Sequence, residues 1–378
     1  MKYRPYGKAG FEVSALGFGC MRLPMKKDGK TVDADEAIAM MHYAINNGVN
    51  YFDTAFGYHS GESELILGRA LRDGYREKVK VATKLPVWDV KKAEDFDRIL
   101  AKQLEKLGVG HIDVYLLHGL GRDSIKTIKE CKLLDKLDVA MGDGRIKNAG
   151  FSFHDDFDCL KDIVNMYDNW SMAQVQFNYL NKNDEPGEKG VKFLADKGLA
   201  AVAMVPCQGG NLANLPHQAM VAFEGSDKKR TVVQWAYDWV WNYPEITMVL
   251  SGMSSMQQVK DNIVYAKESG VGCMSASDVS RVEKAVELIG TVPQIPCTMC
   301  KYCMPCPQNV NIAACMAAMN EGSKFGKDAA LNVYKWWMSE KEHAEFCNSC
   351  GTCEAKCPQK IKISEEISKI AEYIAKIK

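Results

Sequence analysis

Residues 48–53, Gly48-Val49-Asn50-Tyr51-Phe52-Asp53, form a short apolar run that stops on a carboxylate. Immediately before it, Ala34–Asn47 has helical periodicity, with Asp33 and Asp35 as opening caps and Gly48 as the closing signal. The same alternation of short run and helix recurs on both sides. Apolar runs end near Gly19, Asp53, Lys84, His118, Ser152, Gln176, Val205 and Ser251. Helical stretches follow, among them Ala93–Leu107, Ile125–Ala140, Asp156–Tyr167, Thr231–Trp241 and Ser255–Ala266. Eight strand-then-helix units in about 270 residues match a (β/α)8 TIM barrel in number and length. A doubly wound sheet is the alternative, although it does not call for eight such units. The segment up to Val13 reads as a hairpin turning at Gly7–Gly10, placed ahead of the first barrel strand. Ser277–Ile289 reads as one extra helix.

The cysteines divide the chain. Of fourteen, only Cys20, Cys131, Cys159, Cys207 and Cys273 lie before residue 297, and the other nine fall between Cys297 and Cys357. With the two prolines of Val292–Pro296 as a linker, this places one domain at 1–290, the barrel, and a second at 291–378. The second has no strand-like alternation. Asn311–Asn320, Asp328–Trp337 and Ser364–Ile377 read as helices between cysteine clusters, so an all-helical module is expected. Lys+Arg and Asp+Glu both number 48, and a net charge of zero gives no long-range attraction to nucleic acid or an anionic membrane. No apolar run approaches the roughly 18 residues of a membrane span. The N-terminal residues have no apolar core or cleavage pattern of a signal peptide, and a cytoplasmic location is expected.

Asp53, Lys84 and His118 each end an apolar run, on what would be the second, third and fourth barrel strands. Barrels of this kind build their active sites at those strand ends. Tyr58, five residues past Asp53, is within reach of the same mouth. Alone, a strand-end Asp, Lys or His is usually a surface or loop-anchoring residue. Four compatible residues on adjacent strands reverse that reading. A phenol with a pKa of about 10 is a poor acid, but a neighbouring lysine would lower it and an aspartate would hold the lysine charged. A histidine would orient the substrate oxygen.

These residues bring a family into view. GVNYFDTAFGYHSGESELILGRAL (48–71) resembles the first signature of the aldo/keto reductases, with Asp53 and Tyr58 on its catalytic positions; VKVATKLP supplies Lys84 and DVYLLHG supplies His118. The resemblance covers roughly residues 1–290. It implies a barrel that binds NADP or NAD without a Rossmann glycine motif, and no G-x-G-x-x-G follows any strand. GFSFH and QVQFNYL resemble the segments holding the nicotinamide carboxamide, which implicates Ser152 and Gln176. SGMSSMQQVKDN (251–262) resembles the adenosine-phosphate loop, with Asp261 and Asn262 toward the adenine. Met21, after the first strand, joins the expected cofactor contacts. Two departures stand out. Gly252 and Gln258 occupy positions where many NADPH-using members carry Lys and Arg, which leaves NADH open. Met204 stands where many relatives stack an aromatic ring on the nicotinamide, and a thioether still packs on a ring.

The tail carries a second constellation. Cys297-x2-Cys300-x2-Cys303-x2-Cys306-Pro307 is followed by Cys347-x2-Cys350-x2-Cys353-x3-Cys357-Pro358. The latter is the bacterial ferredoxin run, in which the fourth cysteine serves the other cluster. Crossing the fourths groups Cys297, Cys300, Cys303 and Cys357 around one 4Fe–4S cluster, and Cys347, Cys350, Cys353 and Cys306 around another. The first run is one residue short before Cys306. Zinc is the alternative for C-x2-C pairs, but zinc sites rarely use triplets closed by Cys-Pro. The tail resembles the helical dicluster ferredoxin module fused to a subgroup of aldo/keto reductases.

The leading functional expectation is an NAD(P)-dependent interconversion of a small carbonyl compound and its alcohol, with Tyr58 as general acid/base. The clusters would serve electron transfer, sensing or structure, and an acceptor protein is an open partner. A second reading is an electron-transfer protein whose barrel only binds cofactor or partner. A third is a non-catalytic regulatory subunit, against which the intact set of four residues argues.

Overall fold

The computed structural model describes residues 1–378. It opens with an antiparallel hairpin of β1 (Tyr3–Pro5) and β2 (Glu12–Ser14). Then come β3 (Leu16–Gly19) and α1 (Ala34–Asn46), β4 (Tyr51–Asp53) and α2 (Ser63–Ala70), β5 (Lys80–Pro86) and α3 (Glu94–Leu107). β6 (Ile112–Leu120) leads to α4 (Ser124–Glu130) and α5 (Leu133–Gly142), β7 (Ile146–Phe153) to α6 (Phe157–Asn165), and β8 (Trp170–Gln176) to α7 (Gly187–Asp196). β9 (Ala200–Met204) is followed by the short α8 (His217–Met220) and by α9 (Val232–Trp241), and β10 (Ile246–Gly252) by α10 (Met256–Glu268).

Strands β3 to β10 are parallel and neighbour one another in chain order, and β10 pairs with both β9 and β3. The eight-stranded α/β barrel expected from the alternation is therefore closed, which leaves no strand edge open. One layer of its interior is apolar: Tyr51, Ala82, Leu116, Met172, Val202 and Leu250 cluster there with Tyr6 of the hairpin. The Tyr6 and Tyr51 hydroxyls lie 2.9 Å apart, which satisfies two polar atoms inside that layer.

The single helix expected over Ile125–Ala140 is two. Cys131 and Lys132 interrupt it, and Lys132 holds a left-handed φ of 51° at the start of α5. The buried positions give the reason. Ile128 and Leu133 are five apart, one more than a continuous helix keeps on one face, so the chain inserts a residue to bury both.

By packing, the chain divides into two compact units. One holds Met1–Pro206 and Gln234–Ser275, the other Cys207–Val233 and Ala276–Lys378. The second unit contains α11 (Ala276–Gly290), α12 (Ile312–Phe325), α13 (Lys327–Trp337) and α14 (Ile363–Ile377), and no strand follows β10. Arg281 of α11 donates to carbonyls of Ala222, Glu224 and Gly225, and Arg230 pairs with Asp278 at 3.2 Å. The extra helix expected over Ser277–Ile289 thus packs with the loop after β9. Cys315, Ala330, Tyr334, Ile367 and Ile370 lie in the core of the three tail helices. No helix is long and apolar enough to cross a membrane.

Candidate active site

Side chains alternate along a strand, so the residue two positions beyond each apolar interior residue faces the same interior, one layer nearer the C-terminal strand ends. From Tyr51, Ala82 and Leu116 that step reaches Asp53, Lys84 and His118. From Met172 it reaches Gln174 and then Gln176, from Val202 it reaches Met204, and from Leu250, Gly252. These strand residues all face the barrel interior because they share one parity with its apolar layer.

Lys84 is fully buried and Asp53 nearly so. Lys84 Nζ donates to Asp53 Oδ1, to the Thr54 carbonyl at 2.8 Å and to the Tyr58 hydroxyl at 3.3 Å. Burial opposes the ammonium charge, but Asp53 and Tyr58 together outweigh it and raise the Lys84 pKa. Tyr58 corrects the expectation of a lowered pKa. Burial pushes the phenol up, and although Lys84 pulls the other way, the net direction is upward. Tyr58 therefore keeps its proton at neutral pH. The His118 ring stands nearly perpendicular to that of Tyr58, at 5.8 Å between centroids. Burial, with the Lys84 charge second, pushes its pKa down to about 2, so His118 is neutral. Trp88, more than half exposed, lies 5.0 Å from the His118 ring. The arrangement presents a neutral phenol and a neutral imidazole to one point, with a buried cation behind the phenol.

The strand carrying Lys84 is held from its other face. Glu64 of α2 accepts from Thr83 at 2.6 Å, from Gln103 at 2.7 Å and from Lys106 at 3.3 Å. Gln103 also donates to the Lys84 carbonyl at 3.1 Å and accepts from Tyr115 at 2.7 Å. Glu64, Thr83, Gln103 and Tyr115 have no exposed surface.

The expected cofactor contacts are less uniform. Ser152 is buried and accepts from the Gly119 N–H at 2.8 Å, and Gln176 ends β8 opposite Met204. Asn262 turns inward and donates to Tyr237 and Ser251, each at 3.2 Å, whereas Asp261 accepts from Gln257 at 2.8 Å on the surface. The Gln258 side chain accepts from the Ser254 N–H at 2.8 Å, and Met21 is exposed. Gln174 was passed over in the sequence. It is buried, faces the interior beside Ser152, and its Oε1 has no partner. An orphaned acceptor in that layer fits a ligand carrying an amide donor. Its signal was its parity with Gln176.

In the second unit, two small cavities are each lined by four cysteines. One has Cys297, Cys300, Cys303 and Cys357, the other Cys306, Cys347, Cys350 and Cys353. Around them the backbone is left-handed at non-glycine residues, Met299 and Lys301 in the first run and Ser349 in the second, with Gly351 also at positive φ. Alternation of this kind turns successive N–H groups toward an anion. The Ser349 N–H points at Cys347 Sγ, 3.4 Å away, and Thr352 lowers the Cys350 pKa through a side-chain hydrogen bond. No group of three or more His, Cys, Asp or Glu side chains is drawn together for a single metal ion.

Residues 15–287 match the model of the aldo/keto reductase family. A probable aldo-keto reductase 1 from Glycine max is 33% identical over 154 residues, 39% of this chain and 43% of that protein, so the match spans less than half of the relative. An aldo-keto reductase from Bacillus halodurans in its holo form superposes with a TM-score of 0.63 at 23% identity, over 75% of this chain and 96% of that one. An aldo/keto reductase from Klebsiella pneumoniae, in complex with NADP and acetate, does so at 0.62 and 20%, over 75% and 95%. With most of the chain matched by the family model and the same barrel in solved relatives, the protein belongs to the aldo/keto reductase family of oxidoreductase enzymes.

Proposed function

We propose that the barrel, residues 1–290, interconverts a small carbonyl compound and its alcohol with NADP(H) or NAD(H). The observation that carries this is the hydrogen-bonded line Asp53–Lys84–Tyr58 beside a neutral His118. A bound nicotinamide supplies or accepts the hydride at the carbonyl carbon. Tyr58 exchanges the proton with the substrate oxygen, and His118 orients that oxygen by a hydrogen bond. Lys84 stabilises the phenolate left when the proton has gone, and Asp53 keeps Lys84 charged and in place. Ser152, Gln174 and Gln176 supply amide and hydroxyl groups for a carboxamide, and Trp88 offers an apolar wall for the substrate. Titrated dinucleotide should bind, and Tyr58→Phe should lower carbonyl reduction on the order of 10²–10⁴-fold with little change in cofactor affinity. Activity within a few-fold of wild type would remove Tyr58 from its role.

The tail, residues 291–378, is read as the holder of two 4Fe–4S clusters. Its support is the pair of four-cysteine cavities, whose membership is the crossed grouping, and the left-handed backbone around each. A four-iron cube is larger than one ion, so its thiolates stand wider than the roughly 4 Å spacing that zinc ligands at about 2.3 Å require. The clusters supply one-electron chemistry or a structural or redox-sensing centre. This favours, as the alternative reading, an electron-transfer protein with an acceptor partner. Steady turnover of simple aldehydes with NAD(P)H distinguishes the two.

A further inference from the structure

Arg22 ends the short turn Cys20–Arg22 that follows β3. Its strand neighbours β10, with Gly19 opposite Gly252. The turn is therefore next to the segment 251–262, where Gly252 and Gln258 offer no cation. Arg22 is partly buried, and burial pushes its guanidinium below the ordinary arginine range with no carboxylate to counter it. Elsewhere in the barrel, an arginine removed from water has hydrogen-bond or ionic partners: Arg4, also desolvated, donates to the carbonyls of Trp241 and Tyr243. Arg76 has Asp113 at 2.7 Å, and Arg145 has Asp97 at 2.9 Å. A desolvated cation without a partner is costly unless a ligand completes it.

Gly252 shows where the side chain lies. A Cβ at that position would meet Cβ, Cγ and Cδ of Arg22 at 3.3–3.4 Å, so the arginine stem runs across the bare glycine backbone. Glycine is then not merely the loss of a cation. Any side chain at 252 would press on the stem, which would have to give by a few tenths of an ångström. Three residues on, Ser255 caps the thirteen-residue α10, whose N-terminal end adds a favourable field for an anion.

We propose that Arg22 is the cation that meets a phosphate of the bound dinucleotide, in place of those that Gly252 and Gln258 cannot provide. The proposal rests on the reading of the barrel as a dinucleotide site. A guanidinium suits a phosphate because its planar fork gives two parallel charged hydrogen bonds. The phosphate is either the pyrophosphate, which both cofactors carry, or the 2′-phosphate, which only NADPH carries.

The test is equilibrium binding of NADPH and NADH to the full-length protein, wild type against Arg22→Leu, Arg22→Lys and Gly252→Leu, by calorimetry or nicotinamide fluorescence. Arg22→Leu should weaken binding roughly ten- to a hundredfold and flatten its salt dependence. Arg22→Lys should restore part of the affinity, which a packing role would not produce. Gly252→Leu should reproduce the loss by displacing the arginine. A loss confined to NADPH assigns the 2′-phosphate, and an equal loss for both assigns the pyrophosphate. Affinity within twofold of wild type for both cofactors, in a folded Arg22→Leu protein, overturns the proposal. A wild-type protein that binds neither dinucleotide overturns the parent reading instead, and Arg22 with it.

Discussion

Tyr58 is the residue at which burial and charge compete, and burial prevails. The sign of the pH dependence follows. In the proposed mechanism carbonyl reduction needs the protonated phenol, so a pKa raised above its ordinary value of 10.0 would extend activity to higher pH. We predict that kcat/KM for reduction is level through neutral and mildly alkaline pH and falls only above about pH 10. Alcohol oxidation needs the phenolate and should climb over the same range. His118, already neutral, should add no acidic limb above about pH 4. A descending limb for reduction centred near pH 8 would show that Lys84, and not burial, sets the phenol. Asp53, Lys84 and His118 were legible in the sequence because each breaks an apolar run with a charge or an imidazole. The balance at Tyr58 was not, because a position in the chain says nothing about depth. Gln174 and Arg22 were illegible for a related reason. Each is defined by lacking a partner, and that is a property of packed neighbours.

At the scale of elements, β5 owes its placement to α2 and α3. Glu64 and Gln103, one on each helix, close a hydrogen-bonded set on the outer face of the strand, with Lys106 supplying a positive charge. Removing the carboxylate takes an acceptor from Thr83, Gln103 and Lys106 at once. Glu64→Ala should therefore destabilise the barrel by about 3–5 kcal/mol, the usual cost of breaking a buried pair by removing one partner. Denaturant unfolding followed by circular dichroism reads it, and a change below about 1 kcal/mol would mean that water replaces the carboxylate. Glu64→Gln keeps one acceptor and should lose less. The helices themselves were legible from periodicity and caps, as at Asp33, which accepts from the Glu36 N–H. The break at Cys131–Lys132 was not, because a one-residue slip between Ile128 and Leu133 leaves the average helical pattern intact.

Across the whole chain, the tail repeats itself. Cys306-Pro307-Gln308-Asn309-Val310-Asn311-Ile312 opens α12, and Cys357-Pro358-Gln359-Lys360-Ile361-Lys362-Ile363 opens α14. Asn309 and Lys360, at matching places, both have a left-handed φ. The cysteine spacing made the two groups of four cysteines legible, and each cavity draws its fourth cysteine from the other run despite the missing residue before Cys306. What spacing could not reveal is that α11 and the loop 207–233 belong to the same compact unit as the tail. The crossed grouping makes a prediction that independent runs would not. Full-length protein purified without oxygen should hold about eight irons and eight sulfides per chain, and loss of any one ligand should remove about half. Cys300→Ala combined with Cys357→Ala should still leave about four irons, because both residues serve one cluster. Cys350→Ala combined with Cys357→Ala should leave none, although both lie in the same run. Iron and labile-sulfide assays on the two double variants decide between the arrangements. The reverse result would assign each run its own cluster, and zinc without labile sulfide would overturn the iron–sulfur reading of the tail.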